Sequence, residues 1–141
     1  DAVLRRPFIK NMHPLTLDRI ARSFPKMKIV MAHTGTKMFR KEAAALLKYN
    51  PNLYIDLAGS GSWQSVTALE LKELLSGSTC QVGNDAYFSR LVLGSDAYVS
   101  KPEIMLESQK WYMMHIEQLG LNETVKDLIM GNTTSGWIYG H

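Results

Sequence analysis

The stretch Lys28-Ile29-Val30-Met31-Ala32-His33-Thr34-Gly35 decides the fold. It is short, almost continuously apolar and β-branched, which predicts a parallel strand buried on both faces. Upstream, Pro14 suits the first turn of a helix. Leu17, Ile20, Ala21 and Phe24 then recur at spacings of three and four, giving one apolar face before Pro25 stops the helix. Downstream, a helix over 39–49 offers Ala43, Ala44, Leu46 and Leu47 for packing, and Asn50-Pro51-Asn52 breaks it.

The same unit repeats twice. Leu53-Tyr54-Ile55-Asp56-Leu57 reads as a second strand, followed by Ala58-Gly59-Ser60-Gly61 and a helix over 65–75 that packs Val66, Leu69, Leu71 and Leu74, with Gly77 at its end. Arg90-Leu91-Val92-Leu93-Gly94 reads as a third strand, followed by Ser95-Asp96-Ala97-Tyr98. A long helix is expected over 102–119, with Ile104, Trp111, Tyr112, Ile116 and Leu119 to one side and Gly120 as its stop. Asn122 N-caps a last helix reaching Met130, with Glu123 in its first turn. Strands alternating with helices specify an α/β fold with a parallel sheet.

Composition bounds the function. The 141 residues are 45% hydrophobic and 21% charged, ordinary for a globular domain, and residues 1–141 are expected to belong to one domain. No apolar run approaches the roughly 20 residues of a membrane span, so no membrane partner is expected. The net charge of +3 comes from scattered basic residues rather than a block, which argues against nucleic acid as a partner. Cys80, the single cysteine, excludes an internal disulfide and a multi-cysteine metal cluster, and a cytoplasmic setting is the expectation. Cys80 lies in a turn-like stretch with no histidine nearby in sequence, which favours a structural residue over a nucleophile.

His33, the Gly59-Ser60-Gly61 loop and Asp96 each fall just beyond the C-terminal end of a predicted strand. In parallel β/α folds that edge is where ligands and catalytic side chains meet. Asp96 and His33 are the candidate functional side chains there; the plain alternatives are a strand-end turn residue for Asp96 and a hydrogen-bonded core histidine for His33. His13 belongs to the entry of a helix, while His115 and His141 are structural or solvated. Asp56, on the same strand face as Tyr54, is given an internal hydrogen-bonding role. Met105, Met113 and Met114 are expected to pack a helix, and Trp63 and Trp111 to be core or rim aromatics. The glycines flanking Ser60 do not have P-loop spacing.

Four ordered segments resemble one family. Ser23-Phe24-Pro25-Lys26-Met27-Lys28-Ile29-Val30-Met31-Ala32-His33-Thr34-Gly35 is similar to the sixth-strand segment of the amidohydrolase-2 family, and Asn52 to Gly59 resembles its seventh strand. Arg90-Leu91-Val92-Leu93-Gly94-Ser95-Asp96-Ala97-Tyr98 resembles its eighth, and Asp127-Leu128-Ile129-Met130-Gly131-Asn132-Thr133 its closing helix. The resemblance spans residues 12 to 138.

That resemblance implies a metal-dependent (β/α)8 TIM barrel, of which this chain supplies the C-terminal strands and helices, about three βα units of a domain of ~250 residues. It implies Asp96 as metal ligand and proton acceptor, and His33 as the group that orients or deprotonates water or joins the ligands. The cofactor implied is a divalent metal ion, zinc first and manganese second, since carboxylate oxygen and imidazole nitrogen suit both. Such an ion brings the pKa of bound water toward ~7. Counterparts of the family's first-strand His-x-His and fifth-strand His are absent, and Pro102 stands further from Tyr98 than in the family pattern.

The expected function is therefore activation of metal-bound water to cleave a small ester, lactone or amide substrate, with the complete site present in a longer protein. Decarboxylation on the same fold is the first alternative, and a non-catalytic half-barrel module the second. Because the chain begins at Asp1 and three strands cannot close a barrel, an upstream segment is expected, and the sheet is expected to be completed by the rest of the same barrel or by homo-oligomerisation.

Overall fold

Three short apolar runs pair side by side because parallel strands need helical crossovers between them, and the sequence provides those crossovers. The computed structural model describes residues 9–59, 64–76, 85 and 87–140. Strands β1 (Ile29–Met31), β2 (Leu53–Asp56) and β3 (Leu91–Val92) form a parallel sheet in the order β1-β2-β3. Val30 pairs with Tyr54, and Asp56 with Val92. The architecture is thus mixed α/β, compatible with part of a barrel.

Helices α1 (Ile9–Met12) and α2 (Thr16–Ser23) precede β1; α3 (Thr36–Tyr49) and α4 (Ala68–Leu75) flank β2 in sequence. After β3 come α5 (Glu103–Leu119), α6 (Glu123–Asp127), a wide turn over Leu128–Asn132 and α7 (Thr133–Tyr139). The Asn122 side chain accepts from the Val125 N–H, as its N-cap role requires, and Gly120 ends α5 in the left-handed conformation. Thr67 caps α4 in the same way, so that helix starts at Ala68 rather than at 65.

Period-two alternation in β2 sends Leu53, Ile55 and Leu57 to a face sealed by Leu46 and Leu47 of α3, Leu71 and Leu75 of α4, and Ile116 of α5. The same alternation turns Tyr54 and Asp56 to the opposite, partly open face. Polar pins fix the layers. Asn52 Nδ2 donates to the carbonyls of Ala21, Phe24 and Met27, tying the foot of β2 to the end of α2. Arg90 donates to the carbonyls of Leu47 and Asn50, which α3 leaves unpaired at its C-terminus. The buried Tyr112 hydroxyl accepts from the Leu57 N–H at 2.9 Å and donates to the Val92 carbonyl, bridging β2 and β3.

Several expectations need correction. Strand β1 is not buried on both faces, because Val30, on the face it shares with Tyr54, is 37% exposed. Ile20 and Phe24 of the α2 segment, and Leu69 of α4, are likewise exposed. Met105, Met113 and Met114 do not pack α5 against the sheet; each is more than half exposed. The final helical region does not stop at Met130 but continues through α7, whose Trp137 ring meets Tyr54 edge-on at 4.5 Å. Ser60, Gly61, Trp63, Gly77, Cys80 and His141 lie outside the described residues. Among the described residues no helix is long and apolar enough to cross a membrane.

Candidate functional site at the C-terminal end of the sheet

Beyond Met31 the backbone takes a course that few sequences tolerate. His33, Thr34, Gly35 and Thr36 all have positive φ, at 59°, 46°, 71° and 60°. Each non-glycine residue in that region costs about 1–2 kcal/mol, and a β-branched threonine is an outlier there. The turn persists because β2 grips it. The His33 N–H donates to Asp56 Oδ1 at 2.7 Å, and the buried Thr34 hydroxyl donates to the Asp56 carbonyl.

This turn lays the partly exposed His33 ring over the end of β2. His33 Nδ1 lies 2.5 Å from the Ala58 carbonyl oxygen. A carbonyl only accepts, so Nδ1 carries the proton and the neutral ring keeps its lone pair on Nε2. That tautomer is the one that can take a proton or bind a cation through Nε2. His13 has the reverse arrangement, since its Nδ1 accepts from the Leu15 N–H at 3.3 Å. Its ring lies against Phe39 at 4.6 Å, in the loop entering α2, as expected.

Asp96 arrives from the far strand. Leu93 leaves the sheet by donating its N–H to the Ile129 carbonyl, and the chain then turns so that Asp96 has φ 52°. The Ala97 N–H bonds back to Ser95 Oγ at 3.3 Å. Asp96 is exposed, and no hydrogen bond to its carboxylate is present among the described residues.

The two groups converge over Gly59, between them on β2's exit. A Cβ at Gly59 would stand 2.6 Å from His33 Nδ1 and 3.5 Å from Asp96 Oδ2. Imidazole and carboxylate are therefore separated by no more than the sum of those distances. Gly59 has φ +96°, and only glycine leaves both the backbone and this space free. A second close approach underlies it: a Cβ at Gly94 would meet Ala58 Cβ at 2.9 Å and Asp56 Cβ at 3.4 Å.

Sequence reasoning placed His33 and Asp96 at one edge, and the structure brings them together. It did not foresee that Asp56 grips His33, although an acidic residue closing an otherwise apolar strand was a visible signal. His115 stands apart from this edge in α5, stacked on Trp111 at 3.8 Å. Among the described residues no three His, Cys, Asp or Glu side chains gather into a metal-holding cluster. By donor chemistry, His33 Nε2 and the Asp96 carboxylate fit two positions of a divalent-metal shell, fewer than the three protein ligands usual for a catalytic zinc.

The family model described as amidohydrolase, that of the amidohydrolase-2 family, matches residues 3–134. No match is found among curated proteins or among solved structures.

Proposed function

The chain belongs to the amidohydrolase-2 family, and from that premise we propose that its protein is a metal-dependent hydrolase acting on a small ester, lactone or amide. The observation that supports this most directly is the meeting of the His33 ring and the Asp96 carboxylate over Gly59. Asp96, exposed and with no hydrogen bond to its carboxylate among the described residues, is the metal ligand in this reading, with His33 Nε2 as the second donor or as the base. Zinc is the first candidate and manganese the second. A divalent cation held there would supply Lewis acidity, lowering the pKa of a coordinated water toward ~7 and polarising the substrate carbonyl.

The chain's own residues provide the proton path. His33 Nε2 takes the proton of the attacking water as it adds to the substrate carbonyl carbon. The resulting imidazolium keeps its Nδ1–H on the Ala58 carbonyl, so the ring holds its orientation while charged. It then returns the proton to the departing alkoxide or amine. The further ligands, and the strands that cover the open edges of β1 and β3, come in this reading from the rest of the barrel or from a second copy.

The test is Asp96→Asn in the full-length protein, which removes a charged ligand at nearly constant shape. The expected result is weaker metal retention on dialysis against a chelator and a fall in turnover of about 100-fold or more. Wild-type turnover in that variant would overturn the assignment. Carbon dioxide among the products of the wild-type protein would replace hydrolysis with decarboxylation at the same site.

A further inference from the structure

We propose that Asp56 is a positioning residue for His33, setting both its backbone conformation and the direction of its ring; this rests on the reading of His33 as the proton acceptor. One atom carries the argument. Asp56 Oδ1 accepts from the His33 N–H at 2.7 Å and from the Ala58 N–H at 3.0 Å. The second contact closes a turn from an aspartate to the amide two residues on. That turn holds Ala58 so that its carbonyl, one bond sequence further, receives His33 Nδ1–H. A single carboxylate oxygen thus fixes the histidine twice, directly through its amide and indirectly through its imidazole.

The surroundings make the carboxylate more than a convenient acceptor. Three of the four residues from His33 to Thr36 are non-glycine at positive φ, a conformation that persists only when neighbouring groups over-determine it. The contacts described above between this turn and the sheet, to Oδ1 and to the main-chain carbonyl, both come from Asp56. Opposite, Gly94 leaves open the space that a Cβ would take 3.4 Å from Asp56 Cβ and 3.6 Å from its Cγ, so the segment after β3 accommodates the side chain in this rotamer. Both hydrogen bonds of Asp56 Oδ1 go to main-chain amides, of His33 and of Ala58, so in this proposal its influence passes through His33.

The experiment uses the full-length protein as purified, labelled with ¹⁵N-histidine, in the wild type and in Asp56→Ala, Asp56→Asn and Asp56→Glu. Imidazole ¹⁵N shifts report which ring nitrogen carries the proton, and kcat and KM are measured on the same preparations. Wild type shows a protonated Nδ1 at His33. Asp56→Ala loses that signature, and kcat falls about 10- to 100-fold with KM little changed, the scale usual when a partner of an active-site histidine is removed. Asp56→Asn, which keeps an acceptor oxygen in place, retains the signature and most of kcat. Asp56→Glu keeps the charge, carries the acceptor one methylene further out, and loses both. If Asp56→Ala does not fold, the contrast between Asn and Glu decides. A protonated Nδ1 and unchanged kcat in Asp56→Ala, or in Asp56→Glu, would overturn the proposal, whatever happens to thermal stability. If the wild type hydrolyses nothing, the functional reading fails, yet the ring signature still decides whether Asp56 sets the histidine.

Discussion

Replacing Gly59 with alanine tests the heart of the site, because two independent quantities predict its effect. The backbone there has φ +96°, so a side chain adds strain of about 1–3 kcal/mol even in empty space. The space is not empty. The new Cβ would stand 2.6 Å from His33 Nδ1 and 2.8 Å from Cε1. Reaching an ordinary contact of about 3.5 Å requires the ring to retreat by about 1 Å. A retreat of that size breaks the 2.5 Å bond from Nδ1 to the Ala58 carbonyl, which contributes about 0.5–1.5 kcal/mol. The expected loss of stability is about 1.5–4.5 kcal/mol in sum, read from the shift of the urea midpoint by circular dichroism. The same displacement of a proton acceptor costs about 100-fold in kcat. Asp96 Oδ2, at 3.5 Å, already makes an ordinary contact and need not move, so retention of a metal through Asp96 survives better than turnover does. A wild-type midpoint in Gly59→Ala would refute the described ring position. A lowered midpoint with unchanged kcat per folded molecule would instead remove His33 from the chemistry.

Two further substitutions probe the supports beneath the site. Gly94→Ala places a Cβ 2.9 Å from that of Ala58, a contact between the segments that leave β3 and β2 with no flexible end to yield; it should cost about 1–3 kcal/mol by urea unfolding. Tyr112→Phe leaves the Leu57 N–H without its acceptor and should cost about 1–3 kcal/mol. Burial also raises the Tyr112 phenol above its ordinary pKa, so the folded state holds this proton more tightly than the unfolded one. Its contribution is complete below about pH 10 and is lost as pH rises above that, at about 1.4 kcal/mol per pH unit. Urea midpoints measured from about pH 9 to pH 11 should therefore fall more steeply in the wild type than in Tyr112→Phe, and parallel curves would contradict this.

Much of the architecture was legible because strand and helix periods are local. Ala43, Ala44, Leu46 and Leu47 were recognisable as the packing face of α3, and all are buried. Asn122 and Gly120 mark helix ends by side-chain and backbone chemistry that depends on few neighbours. Burial of single strands was less legible. Val30 has the same apolar character as Met31, yet only Met31 faces the helical layer, and nothing within the run distinguishes them. The methionines of α5 failed for a related reason, since the wide, weakly amphipathic helix offers several arcs and the sheet covers only the one bearing Tyr112 and Ile116. The last helix was expected only as far as Met130, but a wide turn over Leu128–Asn132 carries the chain on and the helix resumes. For the site, strand ends were enough to place His33 and Asp96 at one edge. The left-handed turn, the tautomer and the grip of Asp56 depend on contacts 22 to 25 residues apart, which local pattern does not encode.

The edge-on contact of Trp137 with Tyr54 has a consequence for how the sequence can drift. Lys28 sits over the same Tyr54 ring at 5.7 Å, so α7 and the start of β1 cap the end of the sheet away from His33 and Asp96. Residues at that end hold α7 against the sheet, and under the proposed function those at the opposite end serve reactivity. A lineage can exchange one set while holding the other fixed, so new specificities can arise in the loops after the strands without renegotiating the foundation beneath them.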